Sequence, residues 1–137
     1  MSLERDVFLA ADRIPTVAAW QAALQQAGID LILDLLTHDG FLPLTHEGRA
    51  TGFELGLRVV DGAEAALADG RDRVAVFQWH GDFASAIAAV LAAAVLAALT
   101  DGVLYDVEAG VVVPTAEVLS AARAEAAEMA PFLDEDG

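Results

Sequence analysis

Hydrophobic positions recur along this chain with two different periods, and the periods predict a mixture of strands and helices. Short apolar runs at residues 5–10, 29–36, 73–79, 103–105 and 111–113 are typical of strands. Between residues 53 and 59, Phe53, Leu55, Leu57 and Val59 alternate with polar or small residues. That alternation predicts a strand with one buried face, on which the intervening Glu54 points outward.

Helical spacing appears in the segments between these runs. Pro15 and Thr16 open a segment with one apolar face, and Gly28 closes it. Shorter helices are expected at residues 61–68 and after Pro114. Residues 83–99 are apolar except for Ser85 and follow Asp82, a good helix cap. Because alanine is only weakly apolar and no Lys or Arg flanks the run, we expect a central buried helix and not a membrane span.

The order of these elements indicates an α+β fold with a largely antiparallel sheet and helices mainly on one face. A ferredoxin-like core with additions is one possibility. Residues 1–137 are expected to form a single α+β domain with frayed ends at 1–3 and 134–137. Residues 48–52 are expected to be a loop. Because Pro43 cannot donate a backbone hydrogen bond, the segment around it should lie at a sheet edge or in a loop.

The net charge of the chain limits the classes of molecule that it is expected to bind. The chain has 22 acidic and 7 basic residues, all of them arginine, and a net charge of −15. Such a surface repels phosphate backbones and anionic lipids, which argues against nucleic acid and membrane partners. A basic protein would be attracted, although the same charge can serve solubility alone. The chain has no cysteine and no visible signal peptide, so we expect a cytoplasmic location.

Residues that carry chemistry are scarce. Lysine and cysteine are absent, and no glycine-rich phosphate loop or serine elbow is present. Three histidines, His38, His46 and His80, lie near carboxylates and could approach one another around a metal ion. Their spacing matches no known metal motif, and Thr, Asp and Gly around them favour turns. We therefore expect no enzyme activity, no cofactor and no metal.

Several short strings, taken in order, resemble a group of small, acidic, uncharacterised bacterial proteins. The strings are Pro15-Thr16 with Trp20 and Gly28, Gly40-Phe41-Leu42-Pro43, Gly52-Phe53-Glu54, and Gly102-Val103-Leu104-Tyr105-Asp106. The chain is also loosely similar to the immunity proteins of bacterial toxin systems. That second resemblance implies a protein that neutralises a basic toxin by binding it.

The most specific functional hypothesis is a non-enzymatic protein-binding surface. Its candidate residues are Asp39, Phe41, Glu47 and Glu54, in which aromatic and carboxylate side chains are close in sequence. The expected partner is another, basic protein, and a homodimer is possible. A small-molecule-binding domain or a metal-dependent enzyme domain remains the alternative.

Overall fold

The computed structural model describes residues 2–33 and 40–136. Within those residues the strands are β1 (Ser2–Leu9), β2 (Leu31–Leu33), β3 (Gly40–His46), β4 (Arg49–Val59), β5 (Arg73–His80), β6 (Val103–Asp106) and β7 (Val111–Val113). The α-helices are α1 (Val17–Gln26), α2 (Ala65–Ala68), α3 (Phe83–Thr100) and α4 (Val118–Met129). Short 3₁₀ segments occupy Ala11–Arg13, Thr115–Glu117 and Ala130–Asp136.

All the strands join one antiparallel sheet in the order β2-β3-β4-β5-β1-β6-β7. The chain path β1-α1-β4-β5-α3-β6 gives the central strand order β4-β5-β1-β6, which is the ferredoxin-like arrangement. β2 and β3 extend this core at one edge, while β7 and α4 follow it in the chain. The predicted α+β class with an antiparallel sheet is thus confirmed.

Helix α3 is the centre of the helical layer. Asp82 caps it by accepting a hydrogen bond from the backbone N–H of Ser85, as the sequence predicts. The helix is long and apolar enough to cross a membrane, but 83% of it is buried inside the fold. α1 and α4 pack against it, and Trp20 of α1 donates its indole N–H to the carbonyl oxygen of Ala92, 3.2 Å away.

The opposite face of the sheet is covered at one end only. There the short helix α2 places Ala68 over Phe8 and Val74 in a small second cluster of buried side chains. Asp61 and Glu64 precede α2, and each carboxylate accepts the other residue's backbone N–H. In the described residues this leaves most of that sheet face without a helix, so we call it the open face.

One local expectation, the loop at residues 48–52, was wrong. β4 begins at Arg49, so residues 49–52 are strand, and the connection to β3 is the two-residue turn Glu47-Gly48. Both turn residues have positive φ, 50° and 81°, which is the geometry of a tight hairpin. Pro43 lies in β3 opposite Gly52 of β4. The described pairing of β3 with β2 ends at Leu44, so within the described residues Pro43 is paired on one side only, which agrees with the expected edge position.

The fraying expected at residues 1–3 and 134–137 stays a prediction. Ser2 and Leu3 belong to β1, because they pair with His80 and Trp79 of β5. At the other end, the 3₁₀ segment Ala130–Asp136 follows α4 directly.

Candidate functional site

Four side chains from four neighbouring strands form a row across the open face. Phe41 is the register partner of Glu54, Glu54 of Gln78, and Gln78 of Glu4. Register partners in antiparallel strands hold their side chains about 5 Å apart on one face. We call these four residues the cross-strand row. Gln78 Nε2 donates to Glu4 Oε1 at 3.0 Å, so the row is partly cross-linked.

Phe41 is the exposed aromatic side chain of this row. It remains 61% accessible, although its ring lies across Gly52 of the neighbouring strand. A Cβ atom on Gly52 would overlap the Cζ of Phe41 and lie 2.8 Å from the carbonyl oxygen of Leu42. Glycine at position 52 therefore allows the ring to rest on the strand. Two of the strings in the sequence, Gly40–Pro43 and Gly52–Glu54, are thus cross-strand partners.

Asp6 lies next to the row, between Val76 of β5 and Tyr105 of β6. It is only 5% exposed, and its Oδ1 has no hydrogen-bond partner in the described part of the chain. Burial raises the pKa of Asp6 to about 8, and a hydrogen bond with Glu4 and the negative charge of Glu4 contribute to the increase. Asp6 therefore keeps its proton in the folded protein near neutral pH.

Arginine side chains neutralise carboxylates elsewhere on the molecule. The ion pairs join Arg5 to Asp106 and Glu125, Arg58 to Glu64, Arg71 to Asp69 and Asp101, and Arg73 to Asp72. In the residues that the structure describes, Glu54 takes part in no ion pair. The exposed carboxylate of Glu54 is therefore available to an external partner.

A cleft opens beside Glu54, where β4 and β5 separate. Their pairing begins at Glu54 and Gln78, so the preceding part of β4 pairs only with β3. The cleft has a volume of about 860 Å³. On its helical side the hydroxyl groups of Thr51 and Ser85 lie 3.1 Å apart, which ties β4 to the first turn of α3. The lining comprises Phe41, residues 49–54, residues 78–80, Asp82, Ala84, Ser85 and Leu133.

Trp79 supplies a buried polar group to this lining. It is 4% exposed, and its indole Nε1 has no hydrogen-bond partner within the described residues. The guanidinium carbon of Arg5 lies 6.0 Å from the centroid of its ring.

The predicted binding residues do not all come together. Phe41 and Glu54 are direct partners and share the open face. Glu47 lies in the hairpin turn, about 20 Å further along β3. It lines a different, smaller cavity of about 280 Å³ together with Ile87 and Arg123. Asp39 lies outside the described residues. A role in partner binding stays a prediction for all four residues.

The three histidines can be placed only in part. His38 lies outside the described residues. His46 ends β3 and borders the cavity beside Glu47, whereas His80 ends β5 and borders the cleft. Within residues 2–33 and 40–136, no group of three or more His, Cys, Asp or Glu side chains is arranged to hold a metal ion.

Sequence reasoning missed Glu4, Asp6 and the cleft. A signal for the carboxyl pair was present, because Glu4, Asp6 and Phe8 alternate with Arg5, Val7 and Leu9. The charged residues at the start of the chain hid that alternation, and the strand was expected to begin only at Arg5. The cleft depends on where the pairing of two strands ends, and no local pattern in the sequence carries that information.

Comparisons with protein-family models, with curated proteins and with solved structures found no match. The resemblance suggested by the short strings therefore stays a prediction.

Proposed function

We propose that this protein is a non-enzymatic module that binds a basic protein through the open face of its sheet. The observation that carries the proposal is the cross-strand row, in which an exposed aromatic ring lies beside an exposed carboxylate without an ion pair. The most concrete version is an immunity-type role, in which the protein neutralises a basic toxin.

Different features of the surface would control association with the partner and dissociation from it. A net charge of −15 would draw a basic partner towards the protein and accelerate association, most strongly at low salt. Phe41 would then act as the apolar anchor that slows dissociation, since exposed aromatic side chains are frequent hot spots. Glu54 would orient the partner by pairing with a lysine or arginine.

A second candidate function is small-molecule binding in the cleft. Its volume of about 860 Å³ is within the range of ligand pockets, and its lining combines aromatic and polar side chains. The two candidates differ in their dependence on Glu54 and on salt. The affinity for a neutral small molecule would change little when Glu54 is substituted or when the salt concentration is raised.

The test is affinity capture from a lysate of the source organism at about 50 mM and about 500 mM salt, using wild type, Glu54→Arg and Phe41→Ala. We expect wild type to retain a basic protein at low salt, and each variant to retain at least about tenfold less. Glu128→Arg is the matched control, because Glu128 is an exposed carboxylate on α4, in the helical layer. It makes the same change in charge away from the open face.

Two results would contradict the proposal. One is the absence of any stoichiometric basic partner at low salt. The other is equal loss of capture by Glu54→Arg and Glu128→Arg, which would assign the effect to total charge alone. An adjacent reading frame for a secreted toxin would add support for the immunity role, and it would supply a purified partner for titration.

A further inference from the structure

We propose that the cleft receives an extended segment of the basic partner, which adds as a strand to the free edge of β4 at Ala50–Gly52. The inference rests on the proposed function and specifies the shape of the contact. Strand addition joins backbone to backbone, so it needs a strand edge with unused N–H and C=O groups and space beside it.

The hairpin turn fixes which backbone groups are unused. In a two-residue hairpin the flanking residues, here His46 and Arg49, exchange both backbone hydrogen bonds. Antiparallel pairing alternates from that point, so Thr51 and Phe53 also bond to β3. The N–H and C=O groups of Ala50 and Gly52 therefore point away from β3, towards the cleft that both residues line.

The alternating direction of the backbone groups also agrees with the pairing of the residues on either side of Ala50–Gly52. Glu54 is the next residue with outward backbone groups, and it is the residue at which pairing with β5 begins. Pro43, which has no N–H, lies opposite Gly52, at a position of β3 that makes no hydrogen bond to β4. Gly52 has no side chain, which is typical of strand positions that another backbone approaches closely.

Charge selects a basic segment. Glu54 and Asp82 are exposed at the cleft. Arg49, the basic residue of the lining, donates to the carbonyl oxygen of Leu133 at 3.0 Å. An extended chain whose alternate side chains carry positive charge could therefore bond to Ala50 and Gly52 while its cations meet Glu54 and Asp82.

The first experiment uses a short synthetic peptide of alternating arginine and threonine as the probe, with amide hydrogen exchange followed by NMR. We expect exchange at Ala50 and Gly52 to slow by about tenfold or more with the peptide. Arg49, Thr51 and Phe53 should change little, because β3 already protects them. The same peptide with every backbone nitrogen methylated keeps its charges but cannot donate, and it should bind about tenfold more weakly.

The second experiment replaces Ala50 with proline, which removes an N–H from the free edge and none from the bonds to β3. We expect Ala50→Pro to weaken binding of the unmethylated peptide about tenfold, because a carbonyl oxygen of the peptide loses its donor, while Glu128→Arg affects both peptides equally. The exchange pattern of the wild-type protein does not depend on whether Ala50→Pro folds.

Strand addition is overturned if the peptide does not bind, if both peptides bind equally, or if the protection lacks the two-residue alternation. The proposed function is judged separately, by capture of the natural partner. If capture requires Glu54 but is unchanged in a folded Ala50→Pro variant, the proposed function is supported and strand addition is contradicted. If the peptide protects alternate residues but no natural basic partner is captured, strand addition at this edge is supported and the proposed function is contradicted.

Discussion

At the scale of single residues, Asp6 is the least ordinary side chain. It lies in β1, an inner strand of the sheet, is almost fully buried, and has one carboxyl oxygen without a partner in the described residues. Arg58 lowers its pKa, but burial and the neighbouring Glu4 and Glu64 raise it more, to about 8. Arg58 is itself held by two short hydrogen bonds to Glu64, which limits its approach to Asp6. The folded protein therefore keeps a proton on Asp6 that the unfolded chain releases.

This difference gives stability a specific pH dependence. Because the folded pKa is raised from 3.8 to about 8, the contribution is fully present below pH of about 4 and is lost as pH rises towards about 8. Asp6→Asn mimics the protonated form, and we expect it to increase the free energy of unfolding at pH of about 9 by about 2 kcal/mol. Urea unfolding from pH of about 5 to about 9 measures this. The exposed Asp12→Asn variant should keep the wild-type slope, and equal slopes in wild type and Asp6→Asn would contradict the assignment.

Two glycines of β4 on the open face offer a matched pair of substitutions. A Cβ on Gly52 would collide with the Phe41 ring and approach the Leu42 carbonyl, whereas a Cβ on Gly56 would meet no atom within 4 Å. We expect Gly52→Ala to lower the free energy of unfolding by about 1–3 kcal/mol, since backbone cannot give way. Gly56→Ala should be neutral or stabilising by up to about 1 kcal/mol. Chemical denaturation decides the matter, and a Gly52→Ala protein as stable as Gly56→Ala would show that the ring moves freely.

At the scale of elements, α3 is the helix on which the helical layer is built. Ala89 and Ala93 are fully buried against its neighbours, while Ala98 near its end is exposed. An unpaired carboxylate in the core is among the most destabilising changes known, so Ala89→Asp and Ala93→Asp should each cost more than about 4 kcal/mol and abolish soluble expression. Ala98→Asp should cost less than about 1 kcal/mol. Soluble yield and thermal melting compare the three variants, and a stable Ala89→Asp or Ala93→Asp protein would show that the centre of the layer tolerates charge.

The starts of the helices α1 and α3 are features that the sequence predicted well. Thr16 and Asp82 cap α1 and α3 as predicted, because a cap depends on residues only a few positions away. The turn Glu47-Gly48 was missed for the converse reason. Glutamate is uncommon at positive φ, so the usual residue signal for a tight hairpin was absent there.

At the scale of the whole molecule, long-range pairing decides what could be predicted. The α+β class followed from the order of elements, and the hypothesis of a ferredoxin-like core was correct. The candidate site was predicted only in part. Phe41 and Glu54 could be singled out from local chemistry, but their alignment with Gln78 and Glu4 depends on strand order and register. Glu47 was grouped with them because it is close in sequence, although the strand carries it about 20 Å away.

The position of β1 has a consequence for how the chain acquires its structure. β1 is one of the two inner strands of the core, and its partners β5 and β6 are Arg73–His80 and Val103–Asp106. The hairpin of β3 and β4 needs only neighbouring residues, so it can close early. The pairing of β1 with β5 joins residues that are at least 64 positions apart, the nearest being Leu9 and Arg73. Pairings this distant in sequence form slowly. Asp6 therefore stays in water until the sheet is completed, and its pKa is raised only then.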